Sequence, residues 1–532
     1  MRYSWDTYPL HPAVDAFIKH DPVTNELISC PTHIDAIPEF INTHGFTVEK
    51  RQVLYTVLKN QTQALHLDIP QVNENIERIK APTTYTVTCG HQLVLWSGPL
   101  FVWTKIAHCI AICKRLQIQF PQYQFVPVFW LAAEDHDTAE IQTVHVFGKR
   151  YHWPVTGNGP VGELIPNSEL NNCRINLQNA IQGMPFADAF NAALNDFQNS
   201  KHLSQAVQGL LYRFFGSEGL VCIDANRAEL KQLFKNQLKA DILHQETIKA
   251  SLQTMQLWQS KQWKPVIGFR PCNIFYIFEN TRKRIDKTPT GFELSDKSKS
   301  WTTSEMELEI DSNPERFSPN ALLRPLYQQY ILPNIMYVAG PQELAYWLQL
   351  KSVFKHYNIS FPLLSLRYMQ IPLSAKTIRY LHKLNLQPID TFKTEQALLT
   401  AVTCNDPLTL HAIEWNATFK SRIEDLGQRI YQVDASLKPA FEAETHKYLK
   451  GIERLISKSN AKIKSNATQF QQQINNIKNA VFPQHQIIER TEHPAQWYLL
   501  EGPDFIKQLI MRCEQLEGEI VFYATARHNT ES

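Results

Sequence analysis

The chain has no Cys-x-x-Cys pair, no apolar run of membrane-spanning length and almost no net charge. Its 53 Lys and Arg face 51 Asp and Glu, a formal balance of +2, which gives no reason to expect a nucleic-acid or membrane-surface partner. The nine cysteines are scattered and odd in number, so they cannot all pair internally. Reduced thiols in a cytoplasmic protein are the simplest reading. Cys109 and Cys113 lie four apart on an expected helix, where they pack as small apolar side chains. The first residues, Met1-Arg2-Tyr3-Ser4-Trp5-Asp6, show no apolar signal-peptide core. The basic triplet Arg282-Lys283-Arg284 reads as a solvated loop. Neither a Walker loop nor a Gly-x-Gly-x-x-Gly fingerprint is present, and no His-Glu-x-x-His or cysteine pattern supplies a zinc site. What remains is a normal globular composition, 43% hydrophobic and 20% charged over 532 residues, enough for two or three domains.

A strand-helix-strand grammar emerges after a helical, proline-punctuated entry of about 80 residues. Tyr85-Thr86-Val87-Thr88 is β-branched and alternating, as a strand requires. A turn follows at Cys89-Gly90-His91-Gln92, and a helix starts at Ser97-Gly98-Pro99, where proline at the first helical position costs no hydrogen bond. The run Phe125-Val126-Pro127-Val128-Phe129-Trp130-Leu131 is apolar throughout, as in a parallel strand covered on both faces. The grammar repeats with Ile335-Met336-Tyr337-Val338, a helix from Gly340-Pro341 through Leu344, Trp347, Leu350 and Phe354, and a returning strand at Phe361 to Leu366. Gly219 to Asp224 reads as another core strand. Asn273 to Phe278 reads as a strand in an insertion, and Ile520-Val521-Phe522-Tyr523 as a closing edge strand. The fold class is therefore α/β, an open parallel sheet interrupted by inserted subdomains. Its first part covers 1–150, insertions cover 151–320 with a core strand near 220–224, and its second part covers 321–375.

The pattern then changes. Residues 376–490 are helical, and about 408–482 carry a coiled-coil seam. Phe419, Ile423, Leu426, Ile430, Val433 and Leu437 alternate spacings of four and three. Ser436 acts as an N-cap, Pro439 restarts the helix, and Leu449, Ile456, Ile463, Phe470 and Ile477 continue one heptad apart. Asn460, Ala467, Ile474 and Val481 follow the last four by four residues, with Asn460 as a polar register device. Pro483 ends the helix. So short a break folds the two helices back as a long antiparallel arm, through which a homodimer is expected. Residues 491–532 return to globular character and pack back on the core.

Ligands of open α/β sheets bind beyond the carboxyl ends of the strands, and three polar clusters fall there. Gly90-His91-Gln92 with Ser97-Gly98, and Gly340-Pro341-Gln342-Glu343, each place glycine before a helix start suited to an anion. Glu134-Asp135-His136-Asp137 follows the apolar strand directly, where neighbouring carboxylates shift one another's pKa and suit acid–base work or a hydrated magnesium. Arg324 and Arg367 are candidate clamps for a substrate carboxylate. Lys105, on the helix after the first cluster, and Tyr346, near the second helix start, are placed to reach the same crevice.

These clusters, in this order, resemble the bacillithiol-biosynthesis cysteine-adding family. The matching stretches are Thr88-Cys89-Gly90-His91-Gln92, Ser97-Gly98-Pro99-Leu100, Pro127 through Asp137, Phe317 through Pro325, Leu332-Pro333-Asn334, and Tyr337-Val338-Ala339-Gly340-Pro341 with Glu343 to Trp347. One departure is visible: the family's first loop often reads Gly-Gln-Gln, against Gly90-His91-Gln92 here. That histidine is similar to the second half of the His-x-Gly-His signature of class I aminoacyl-tRNA synthetases. The resemblance implies a Rossmann-like core and a ligase that adds L-cysteine to the amine of glucosaminyl malate. Amide formation from a free carboxylate is uphill, so a nucleotide such as ATP, with Mg2+, is the expected activating cofactor. In this reading Gly90, His91 and Gly98 hold phosphates or developing charge. Glu134, Asp135, His136 and Asp137 serve the amine, a metal or the transferred proton, and Arg324 or Arg367 binds the malyl carboxylates. Gln92, Ser97, Lys105, Gly340, Gln342, Glu343 and Tyr346 line the crevice. The rival readings are a metal-dependent hydrolase built on the Glu134–Asp137 cluster, which predicts chelator sensitivity without nucleotide, and a non-enzymatic scaffold acting through the arm.

Overall fold

A computed structural model describes residues 1–29, 33–43, 45–404 and 407–525. They divide into two compact units. One comprises Arg2–Ile371 with Glu489–Val521, and the other Pro372–Ile488 with Met1 and the residues from Phe522 onward.

The first unit is built on a five-stranded parallel sheet of β1 (Thr84–His91), β2 (Gln124–Leu131), β3 (Val221–Asp224), β4 (Asn334–Ala339) and β5 (Leu363–Leu366). Their order across the sheet is β5-β4-β1-β2-β3, and every pairing is parallel. The chain thus leaves β1 toward β2 and β3 on one side and returns to β4 and β5 on the other. The strand order reverses between β1 and β4, which opens the crevice where such sheets bind ligands. Every residue of β2 after Gln124 is buried, so its lack of alternation reflects helices on both faces. Helix α1 (Leu100–Gln119) covers β1 and β2 and buries Cys109 and Cys113. The Cys109 thiol donates to the Val87 carbonyl at 3.1 Å. Asn334, at a bulge where β4 meets β1, accepts from the hydroxyls of Thr86 and Thr88 and donates to Gln329. That satisfies a polar group inside an apolar layer.

A five-stranded antiparallel sheet is inserted between β3 and β4, in the order Ser300–Trp301, Gly291–Leu294, Thr281–Thr288, Ile274–Phe278, Phe317–Pro319. The basic triplet lies in its central strand Thr281–Thr288. The expectation of a solvated loop is overturned for Arg282, which is buried, because the strand's inward positions face the parallel sheet's rim. The helix expected from Gly340 to Phe354 is two: α4 (Pro341–Trp347) and Lys351–His356. Ile520-Val521 is not an edge. It pairs antiparallel with Arg2-Tyr3, while Met369 donates to the Glu519 carbonyl on the other side.

In the second unit, α5 (Pro407–Val433) and α6 (Lys438–Val481) form the antiparallel pair. Phe419 stacks on Tyr448 and Tyr431 meets Phe441 edge-on, each at 5.8 Å. Gly427 lets the helices approach, since a Cβ there would sit 2.8 Å from the Phe441 ring. The connection is capped by Asp434, which accepts from the Ser436 amide at 2.8 Å, while Leu437 occupies the N-cap of α6. The N-cap expected of Ser436 is thus not made: Asp434 caps the turn Ala435–Leu437, and α6 starts without a side-chain cap. Ile474, Ile477 and Val481 are fully buried, but Leu426, Val433 and Leu437 of the expected seam are exposed. The side chains of Ile456, Asn460, Ile463 and Ala467 lie outside the described residues. Among the described residues no helix is long and apolar enough to cross a membrane.

Candidate active site

A cavity of about 920 Å³ opens at the carboxyl rim of the parallel sheet. Gly90, His91 and Gln92 at the end of β1, Glu134 and Asp135 after β2, Asn226 after β3, Gly340 to Glu343 after β4 and Arg367 after β5 all line it. Loops separated by more than two hundred residues meet there. Lys105 and Phe101 enter from α1, Arg324 from the start of α3 (Arg324–Ile331), Tyr346 from α4, and Arg282, Arg284 and Phe275 from the antiparallel sheet.

Two buried lysines organise the walls. Lys105 donates to the Gly90 carbonyl at 2.8 Å and to the Glu343 carboxylate. Glu343 also accepts from the Gly340 amide at 2.7 Å and the Tyr337 hydroxyl at 3.0 Å. Burial opposes the charge of Glu343, but Lys105 and these hydrogen bonds outweigh it and hold the carboxyl below its usual range. On the far side of β1, Lys231 of α2 (Ala228–Leu233) donates to Glu134 and to the Phe317 carbonyl. Asp135 accepts from the Gln92 amide and the His136 backbone and faces Arg282 at 3.8 Å. Burial alone would raise its pKa, yet those partners leave it lowered.

His91 is neutral. Burial first, then the Lys105 charge, lowers its pKa to about 4. Its Nδ1 lies 3.2 Å from the Gln92 carbonyl. A carbonyl only accepts, so Nδ1 carries the proton and Nε2 is the acceptor. Phe101 packs edge-on against the ring at 4.8 Å. This imidazole is a base or hydrogen-bond partner, not a cation for phosphate.

Several expected residues fall elsewhere. Ser97 and Gly98 do not line the cavity. Ser97 is buried, accepts from the Trp103 indole at 2.8 Å and joins Trp96 and Gly98 at positive φ in a tight turn. The first amide of α1, Leu100, donates to the Glu492 carbonyl at 2.9 Å, so that helix start is closed to an anion. The Gly340 amide is likewise taken by Glu343. Gly90 lies inside β1, where a Cβ would sit 2.9 Å from Trp130, and neighbour packing explains the glycine. The acidic cluster divides, with Glu134 and Asp135 facing the cavity. Asp137 instead caps the helix Thr138–Ile141 through the Ala139 amide at 3.0 Å, and His136 faces Arg282 at 3.0 Å. Among the described residues no three ligating side chains converge as a metal site. Arg367 lines the cavity, but its guanidinium is engaged by Glu489 at 2.5 and 3.0 Å. Among the described residues Arg324 has neutral hydrogen-bond partners, Gln328 at 2.9 Å and Tyr346 at 3.1 Å.

Two models of one family account for nearly the whole chain. The model described as "Bacillithiol biosynthesis BshC, N-terminal Rossmann-like domain" matches residues 9–368, and "Bacillithiol biosynthesis BshC, C-terminal coiled-coil domain" matches 372–523. The chain belongs to the bacillithiol-biosynthesis BshC family. A Flavobacterium johnsoniae relative is 32% identical over 489 residues, 89% of each chain, and one from Cytophaga hutchinsonii is 32% identical over 450 residues, 83% of this chain and 84% of its own. Both carry the name "Putative cysteine ligase BshC". Every residue that lines the cavity except Arg490 lies in the stretch matched by the Rossmann-like model, and Arg490 follows the arm in sequence. Sequence reasoning passed over Lys231, Asn226 and Arg490. Lys231 carried one signal, a lysine between Leu230 and Leu233 on a helix that follows a core strand directly.

Proposed function

We propose that the protein is a cytoplasmic ligase that joins the carboxyl carbon of L-cysteine to the amine of glucosaminyl malate, the last step of bacillithiol biosynthesis. The observation that carries this reading is the shared rim cavity, where arginines and Lys105 face carboxylates across the end of β1. A nucleotide, ATP, supplies the leaving group that a free carboxylate lacks. The cavity is large enough for a nucleotide and a small substrate, and its cations suit phosphate oxygens, with Arg324 free of any acidic partner within ion-pair distance among the described residues. Mg2+ binds through one or two carboxylates together with phosphates, and Glu134 and Asp135 are the carboxylates that line the cavity beside Glu343.

In this proposal Glu134 and Asp135 orient the attacking amine by accepting its N–H bonds. His91 Nε2 takes the proton that the amine loses as the C–N bond forms. Lys105, held by Glu343, keeps a positive field at the end of β1 where negative charge develops. The arm serves as the contact between two copies of the chain, supported by the exposed Leu426, Val433, Leu437, Tyr448 and Leu455 along it.

Pure protein incubated with cysteine, glucosaminyl malate and single nucleotides is expected to yield the coupled thiol by mass spectrometry, with one nucleotide cleaved per amide. His91→Ala lowers the rate by about 10²–10⁴-fold. A product-free reaction with every nucleotide, or full activity of the His91 variant, overturns the reading. Sedimentation equilibrium of the same sample tests the dimer.

A further inference from the structure

Arg367 and Arg490 both line the cavity, and both guanidinium carbons lie 5.3 Å from the centre of the Phe101 ring. Their electrostatic situations differ. Arg367 is almost fully buried and forks onto Glu489, itself fully buried, while also donating to the Tyr368 carbonyl at 2.6 Å. Glu489 is further fixed by the Gln370 amide at 3.3 Å. That charge is spent inside the protein. Arg490, the next residue after Glu489, has no ion pair and no side-chain hydrogen bond among the described residues. It is exposed to solvent and lines the cavity. Partial desolvation, then repulsion from Arg367, pulls its pKa below the usual arginine value. A cation held at a cavity wall, repelled by its neighbour and stacked on an aromatic face, lowers its free energy by meeting an anion. Arg270, another lining arginine whose side chain has no hydrogen bond or ion pair among the described residues, lies on a loop between Ser260 and Ile274 and has no aromatic ring beside its guanidinium among them.

We infer that Arg490 anchors an anionic oxygen group of a substrate, chiefly a carboxylate of the malyl moiety, and so helps set substrate specificity; this rests on the proposed ligase reading. Guanidinium matches carboxylate and phosphate alike, so a nucleotide phosphate is the second source of the same chemistry. The segment that follows the arm thereby completes a site whose other lining residues all precede the arm.

The test uses full-length Arg490→Gln and Arg490→Lys. Calorimetry with L-malate and, separately, with ATP reads anion binding without catalysis. Steady-state kinetics compare glucosaminyl malate with methyl glucosaminide, which lacks the carboxylates. The expected result for Arg490→Gln is malate binding weakened about tenfold or more, with KM for glucosaminyl malate raised and the preference over methyl glucosaminide reduced by a similar factor. Arg490→Lys, which keeps the charge and loses the fork, recovers part of the affinity. Weakened ATP binding in place of malate binding assigns the anchored anion to a phosphate. Wild-type affinity for both ligands in Arg490→Gln overturns the inference. Malate binding that depends on Arg490 in a protein that makes no amide sinks the ligase reading alone, whereas amide synthesis indifferent to Arg490 sinks only this inference.

Discussion

On either side of β1 the same device appears twice. Lys105 and Lys231 are both buried, each donates to a carboxylate and to a backbone carbonyl, and each lies near a tyrosine ring, Tyr337 at 5.8 Å and Tyr327 at 5.3 Å. The carboxylates differ. Glu343 uses one oxygen for Lys105 and the Gly340 amide and the other for the Tyr337 hydroxyl, so it is closed on itself and locks the turn after β4. Glu134 has only Lys231 among the described residues and keeps an oxygen for the cavity. A buried ion pair is weak grounds for stability in itself; here one pair shapes the wall and the other presents a functional group.

The largest effects should come from removing a lysine. Lys105→Met or Lys231→Met leaves a carboxylate without its cation and is expected to cost about 3–5 kcal/mol in chemical denaturation. A loss confined to one of them would break the parallel. Smaller and more telling is the difference between the acids. Glu343→Gln should destabilise more than Glu134→Gln, by about 1 kcal/mol, because Glu343 serves two further donors. Glu134→Gln should instead show mainly in the rate of amide formation. Equal stability losses with equal activity losses would make the two acids equivalent.

A further test is the pH dependence. Burial pulls His91, His108 and His493 to about 4, whereas an unfolded chain titrates near 6.5. At these three groups the unfolded state binds more protons than the folded one between those values, so their contribution to stability falls as pH drops from about 6.5 toward 4 and is flat above 7. Each histidine contributes up to about 1.4 kcal/mol per pH unit in that window. Urea midpoints at pH 7 and pH 5.5 check the sign, and an imidazole resonance of His91 titrating near 6.5 would contradict its burial.

The parallel sheet was readable because its strands are short apolar runs bounded by glycine and charge, and the three rim clusters followed from the rule that such sheets bind at their carboxyl ends. The antiparallel insertion was largely hidden. Its central strand, Thr-Arg-Lys-Arg-Ile-Asp-Lys-Thr, is so polar that only two of its residues are buried, which leaves little periodicity to read. The arginine assignments depended on pairing across the chain. Arg367 is a candidate clamp in sequence and Arg490 is not, and only the contact of Arg367 with Glu489, 122 residues away, shows that the first is engaged and leaves the second available. The closed helix starts at Leu100 and Gly340 were equally invisible, since the groups that occupy their amides come from tertiary contacts and side-chain rotamers. In the arm, heptad spacing identified both helices but not which apolar positions face inward, because Gly427 lets the pair approach along a different line from Leu426 and Val433.

The burial of thiols against the sheet has a consequence for the proposed reaction, in which free cysteine is a substrate. Disulfide exchange needs a thiolate, and burial pushes Cys89, Cys109 and Cys222 well above the ordinary thiol range. Cys272, at the cavity wall, is pushed up to about 12. At neutral pH these sulfurs stay protonated, so a disulfide that drifts into the cavity meets, among the described lining residues, a Cys272 thiol rather than a thiolate, and the core is spared exchange with oxidised forms of the proposed substrate.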